Sequence, residues 1–425
     1  MAAVWRNRRY VVLALVLTAA VFWAQILLFD RGLDNQILNP HAPTFPDAVR
    51  SVDRAVTLAG EGGFSGAFAD GRMMPGYPLF LSLCVSGFSQ PLLVARFVQV
   101  FLASLIVPFA FLTLCLLFKS QGWALLGSVA FALWVPFYYF SPILSAETLS
   151  MFYYALLCYQ LARSHQTQSR MHLLMMVVLA VMVYLMPGLV LLFIPFAAVM
   201  EYRRGGGGKG VTVVGPLAVV VVLLLPWTIW VSVKNQAFVP LTTTSGYQLY
   251  FGTGVTAKVD TTGGSSRGRG MPAASAEALG LADAGLVSAV ARDTVGASPV
   301  EKNRIFRRAA LGVWVNRPGK MISYGAAKVL HAFGFSFRNA RDSLLAALLA
   351  GSLLLSALLW SRRLHREWCV YLWVVTGVVA LQAFVLVPSQ RYKTVLFDFP
   401  AVLIVALGVV EMLRGGTGTR EPESR

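Results

Sequence analysis

The chain has 425 residues, of which 57% are hydrophobic and only 13% charged, where a soluble domain carries about 25% charged residues. That imbalance excludes a water-soluble, secreted or fibrous protein and leaves a polytopic membrane protein as the class. A net charge of +17 on a soluble chain points to nucleic acid; on a membrane chain it points to basic loops facing anionic lipid or a phosphate-bearing substrate, so no nucleic-acid partner is expected.

A membrane span needs about 20 apolar residues. In chain order the candidates are 10–29, 94–118, 122–144, 148–163, 171–185, 187–201, 211–233, 343–360, 368–387 and 394–413, which predicts a single all-α domain over 1–425 with about ten transmembrane helices. The apolar stretch 171–201 is too long for one helix and is divided at Pro187-Gly188, where proline removes a backbone donor. The segment 76–88 is apolar but too short to cross, and it reads as an interfacial or re-entrant helix.

Short-loop lysines and arginines set the orientation. Arg6, Arg8 and Arg9 place the N-terminus in the cytoplasm. From there Lys119, the 163–170 loop, Arg203-Arg204 through Lys209, Arg362-Arg363 through Arg366, and Arg414 with the 414–425 tail all fall inside. The outer turns around Ser145 and Pro187 carry no lysine or arginine; the last outer loop, 388–393, is the exception, with Arg391 and Lys393. Two long segments, 30–93 and 234–342, then share the outer face. Within the second, 261–270 is a glycine- and serine-rich loop, 300–314 has the spacing of an amphipathic surface helix, and 318–334 starts another behind Pro318.

The outer side holds few ionisable residues. Asp47, just before a helical run over 48–59, reads either as a helix N-cap or as a carboxylate that takes a proton from a hydroxyl. Asp53 and Asp70 are alternatives on the same loop. Arg72, beside the interfacial segment, reads as a snorkelling anchor or as a grip on a lipid phosphate. Glu147 follows Ser145 at an outer helix start, where Ser145 is expected to cap and Glu147 to interact favourably with the helix dipole; an acid at that depth also invites a functional role. Arg391-Tyr392-Lys393 is basic at an outer helix start, which suits either headgroups or a phosphate. The glycine-rich run 60–66 lacks the strand and helix of a nucleotide loop. The five scattered histidines and four apolar-context cysteines give no metal-ligand spacing and no disulfide framework, so no metal or cofactor is expected.

Several of these residues occur in an order that resembles a known family. Asp47, Gly62-Gly63-Phe64 and Arg72-Met73-Met74-Pro75-Gly76-Tyr77-Pro78-Leu79-Phe80-Leu81 resemble the first outer loop of GT-C glycosyltransferases, in particular the bacterial branch related to protein O-mannosyltransferases and the aminoarabinose–lipid A transferase. Ser145-Ala146-Glu147-Thr148, Pro226-Trp227, Lys234-Asn235, the run 238–252, 301–308, Pro318-Gly319 and Arg391-Tyr392 continue the likeness in order along nearly the whole chain. Met186, Thr253 and Ser51 depart from residues common in relatives. The resemblance implies a bacterial inner-membrane enzyme with its active site on the extracytoplasmic face. It would transfer a sugar from a polyprenyl-phosphate donor to a lipid, glycan or protein hydroxyl by an inverting single displacement. In it, Asp47 would be the general base and Glu147 would position acceptor or sugar. Arg72, Arg391 and Tyr392 would hold the donor phosphate, and Tyr77, Asp53 and Tyr247 would position substrate. The competing classes are a transporter or flippase of a lipid-linked sugar, which calls for ionisable residues within spans, and a non-catalytic assembly partner.

Overall fold

The computed structural model describes residues 7–32, 46–60, 62–118, 120–138, 140–167, 171–203, 211–256, 271–333, 335, 340–360, 363–386 and 394–416. Among them the chain is helical throughout, with no strand. In chain order the helices are α1 (Arg8–Gly32), α2 (Pro46–Ala59), α3 (Gly63–Phe68), α4 (Gly76–Gly87), α5 (Pro91–Ser104), α6 (Ile106–Phe118), α7 (Gln121–Leu133), α8 (Glu147–Thr167), α9 (Met171–Leu185) and α10 (Phe193–Arg203). They continue with α11 (Val211–Lys234), α12 (Ser245–Phe251), α13 (Met271–Ala278), α14 (Ala284–Thr294), α15 (Pro299–Asn316), α16 (Pro318–Ala332), α17 (Ala340–Leu359), α18 (Arg363–Val385) and α19 (Phe399–Gly416).

Among the described residues four stretches, Arg8–Leu27, Pro91–Phe118, His365–Val385 and Leu396–Leu413, are long and apolar enough to cross a membrane. Six shorter apolar helices accompany them, α4 among them. The protein is therefore an all-helical one built to associate with a membrane.

The expected 94–118 span lies within the stretch Pro91–Phe118, where Leu105 between α5 and α6 keeps helical hydrogen bonds to Phe101 and from Phe109. One expected span takes a different form: the 122–144 stretch is helical only to Leu133, followed by a 3₁₀ turn over Val135–Phe137 and buried turns over 140–146. Pro136 and Pro142 lie in that segment and cannot donate to a helix ladder. Polar side chains from other helices take up the freed backbone groups: Gln99 Nε2 donates to the carbonyls of Ser141 (3.1 Å) and Ile143 (2.8 Å). Ser141 Oγ donates to Gln25 Oε1 at 2.7 Å, and Gln25 Nε2 donates to Ser104 Oγ at 2.9 Å. Irregular backbone in an apolar setting survives where such partners exist. The expected division at Pro187 is present: α9 ends at Leu185, and a 3₁₀ turn over Pro187–Leu192 leads into α10.

Helices α2 and α4 form one unit. Ala48, Ser51 and Ala55 recur at helical spacing on the buried face of α2. Ala48 and Ala55 share a cluster with Tyr77, Leu81 and Cys84 of α4 and with Leu144, Leu149 and Leu185. Gly76 lets α4 approach α9 closely: a Cβ there would meet the Tyr184 carbonyl oxygen at 2.7 Å.

A second layer comes from 245–332. Asp283 caps α14 by accepting from the Leu286 amide at 2.9 Å, and Ser298 caps α15 by accepting from the Glu301 amide at 3.2 Å. Tyr250, Val255, Ala276, Val290, Ala310, Val313, Met321 and Tyr324 make its core. The layer joins the membrane helices at Lys328, which is fully buried. Its Nζ donates to the carbonyls of Gly252 (2.7 Å) and Leu386 (3.0 Å), tying the end of α12 to the end of α18.

Candidate active site

The site is assembled from two segments far apart in sequence. Arg54 on α2 fixes the first: its guanidinium donates to the Ala67 carbonyl at 2.6 Å and to both carboxylate oxygens of Asp70 at 2.8 and 2.9 Å. It also stacks over Phe68, 5.5 Å from the ring centroid. Asp70 in turn accepts from the Arg72 backbone amide at 3.1 Å. Gly71 takes a positive φ of +61° and is buried. This turn leaves the Arg72 side chain 46% exposed, with Nε 3.7 Å from Asp70.

The second segment folds back along α11. Trp227 Nε1 donates to the Leu241 carbonyl at 2.5 Å, Thr228 Oγ1 donates to the Pro240 carbonyl at 2.6 Å, and the Val239 amide donates to Ser232 Oγ at 2.9 Å. The strap then pairs with the first segment. The Thr243 amide donates to the Gly71 carbonyl at 2.9 Å, and Thr243 Oγ1 donates to the Asp70 carbonyl at 2.9 Å. Helix α12 follows, seated on α15 because Gly246 has no side chain: its amide donates to Asn303 Oδ1, and a Cβ would meet the Arg307 amide nitrogen at 3.0 Å. Tyr247 is thereby fixed against Phe251 and Phe306, with ring centroids 4.3 and 5.5 Å away.

Asp47 stands within the first turn of α2, one residue after Pro46. It therefore meets the positive end of the helix from inside the turn rather than from the cap position. Its carboxylate lies 3.7 Å from Arg50, one helical turn on, and both side chains are well exposed, at 43% and 61%. Asp47, Arg50 and Arg72 all act on the Tyr247 hydroxyl. Burial pushes that hydroxyl's pKa up, Arg50 and Arg72 pull it down and Asp47 pushes it up. Asp47, Arg50 and Arg72 thus lie within electrostatic reach of the Tyr247 phenol, with the Asp70 carboxylate beside Arg72.

Glu147 and Tyr77 belong to a different, buried group. Tyr77 donates to Gln99 Oε1 at 2.5 Å, and the charges of Glu147 and Arg96 act on its hydroxyl with opposite sign. Glu147 and Arg96 are 3% and 7% exposed. Ser145 was expected to cap α8, but its Oγ, like Thr148 Oγ1, is buried without a hydrogen-bond partner among the described residues. Chain turns over 141–146 hold Ser145 in the interior, away from the cap geometry. Asp53 is exposed on α2, six residues along from Asp47 and so on another face. Asp70 is engaged by Arg54 and Arg72. Arg391 and Tyr392 lie outside the described residues. Arg50 was missed in the sequence reading; its i+3 spacing from Asp47 on a helix was the available signal.

Lys328 was also passed over. Burial pushes its pKa down from the ordinary 10.5 to about 7. A lysine whose folded pKa is depressed takes up its proton later than the unfolded chain does. Its contribution to stability therefore rises with pH from about 7 toward 10.5 and is level below. Thermal unfolding in detergent at several pH values is expected to show wild type gaining on Lys328→Met as pH increases through that window. A pH-independent gap would show that the amine is not held neutral.

No protein-family model matches the chain, and no curated protein matches it.

Proposed function

We propose that the protein is a membrane glycosyltransferase of the GT-C type. It would transfer a sugar from a polyprenyl-phosphate donor to an acceptor hydroxyl on the extracytoplasmic face of the bacterial inner membrane. In this reading about ten helices or half-helices cross the membrane, the shorter apolar helices other than α4 among them. Both termini are cytoplasmic, and 30–93 and 234–342 form the outer layer. The Asp47 carboxylate takes the proton of the acceptor hydroxyl as its oxygen attacks the anomeric carbon. The bond from that carbon to the phosphate oxygen breaks, and the charge left on the phosphate is met by Arg72, with Arg50 close by. Configuration inverts because one displacement occurs. Arg391 and Tyr392 enter as the resemblance implies.

The observation that carries this reading is the convergence of Asp47, Arg50, Arg72 and Tyr247 from two separate segments. A base and two phosphate-compatible cations on one open face are what such a displacement requires. Arg72→Ala is expected to weaken donor binding by about 10- to 100-fold, since a charge-assisted contact is worth about 1.5–3 kcal/mol. Because the side chain is 46% exposed, unfolding temperature should hardly change. Binding of a polyprenyl-phosphate sugar to purified protein checks this; wild-type affinity in a folded Arg72→Ala would remove it from the site.

Transport of a lipid-linked sugar is the second reading. It is favoured by buried ionisable groups in candidate spans: Arg96 in Pro91–Phe118, and Asp398, which accepts from Trp134 Nε1 at 3.1 Å, in Leu396–Leu413. Reconstituted vesicles holding labelled lipid-linked sugar separate the two, since transfer makes a new glycoside and flipping does not.

A further inference from the structure

Helix α15 presents two faces that its packing treats differently. Ala310 and Val313 are buried in the core of the outer layer. The opposite face carries Arg304, Arg308, Leu311 and Val315 at spacings of four, three and four residues, with Arg307 alongside. Leu311 and Val315 are 51% and 76% exposed, and the arginines are exposed as well. Nothing in the fold requires an apolar pair there. The pair's position is set by Trp314, whose ring lies 5.9 Å from that of Phe384, in the last turn of the candidate span His365–Val385. The apolar end of α15 therefore sits where a span leaves the hydrocarbon. Arg304 and Arg308 continue the same stripe toward the start of α15.

We propose that this face of α15 docks on the bilayer surface and recognises anionic phospholipid headgroups. Leu311 and Val315 dip into the acyl boundary, and Arg304, Arg307 and Arg308 engage the phosphates. The charge balance selects this occupant: the single acid on the stretch, Glu301, faces Lys302 and three arginines. Such a helix binds a lipid surface through apolar burial plus attraction to anionic headgroups. The assignment is independent of the sugar-transfer reading.

The test uses the full-length protein with Val315→Cys carrying an NBD fluorophore, reconstituted in bilayers of mixed phosphatidylglycerol and phosphatidylcholine. The native Cys84, Cys115, Cys158 and Cys369 are buried, and dye-treated protein without the new cysteine sets the background. Quenching by brominated phosphatidylglycerol is compared with quenching by brominated phosphatidylcholine. The expected result is strong quenching with a preference for the anionic lipid of about fivefold for each arginine engaged. In the triple variant Arg304→Gln, Arg307→Gln, Arg308→Gln, quenching should persist while the preference falls to near unity. Equal quenching by both lipids in the parent would overturn the headgroup recognition. A probe quenched by neither lipid would overturn the docking itself, whether water or a second protein copy covers it.

Discussion

Asp47→Asn is expected to fold normally and to lose about 10²- to 10⁴-fold in turnover, the range that a positioned general base contributes. The structure makes the two halves of this outcome separable. Asp47 contributes to stability through the helix dipole, worth about 0.3–1 kcal/mol at an exposed first turn. It also contributes through an exposed pair with Arg50, which at 3.7 Å and with both partners accessible adds little. Asparagine therefore gives up about 0.3–1 kcal/mol through the dipole, while it gives up all proton-accepting capacity. Thermal unfolding in detergent beside a transfer assay with lipid-linked sugar measures both. Near wild-type turnover in the folded variant would defeat the assignment, and Asp53, exposed on the same helix, would be examined next.

Gly71→Ala is expected to destabilise by about 2–4 kcal/mol, combining the cost of a left-handed conformation with overpacking. Both terms are visible in the backbone. Gly71 has φ +61°, and a Cβ there would meet Val231 Cγ2 at 2.6 Å and Thr243 Cγ2 at 3.2 Å. Val231 is fully buried on α11 and cannot swing clear. Relief would have to come from separating the 70–72 turn from the 243 strap. That breaks the two hydrogen bonds joining them and frees the turn that positions Arg72. Loss of transfer should accordingly exceed what the drop in unfolding temperature alone explains. A variant with unchanged unfolding temperature would show that the turn is not held as described.

Hydropathy was enough to place most of the helices. The expected 171–185 segment is α9, 211–233 matches α11 to within one residue, and 76–88 matches the short helix α4. Those segments are decided by their own composition. The expected helix over 122–144 was overestimated because its second half is decided elsewhere: an apolar run with two prolines still scores as a span, while Gln99 supplies donors to the Ser141 and Ile143 carbonyls and Gln25 holds the Ser141 hydroxyl. The same distinction runs through the candidate site. Asp47 and Arg72 could be found from residue type and local setting. Their shared neighbourhood with Tyr247 depends on the Thr243–Asp70 contact, which joins residues 173 apart. No local pattern encodes such a pairing. Glu147 was placed correctly in the first turn of an outer helix, but its burial was not legible because 141–144, which folds into turns, was read as the end of a helix.

The glutamine-supported segment at 134–146 also bears on how the chain is made. Carbonyls outside a helix or sheet are costly in hydrocarbon until a donor reaches them. Gln25 and Gln99 both precede the segment in the sequence, so during vectorial synthesis their helices have already left the ribosome when Ser141 and Ile143 emerge. The receptor for the irregular stretch is in place before the stretch needs it. Had Gln99 been encoded downstream, the Ser141 and Ile143 carbonyls would have lacked their donor until a later helix was translated. The order of residues in this gene product thus doubles as an order of assembly.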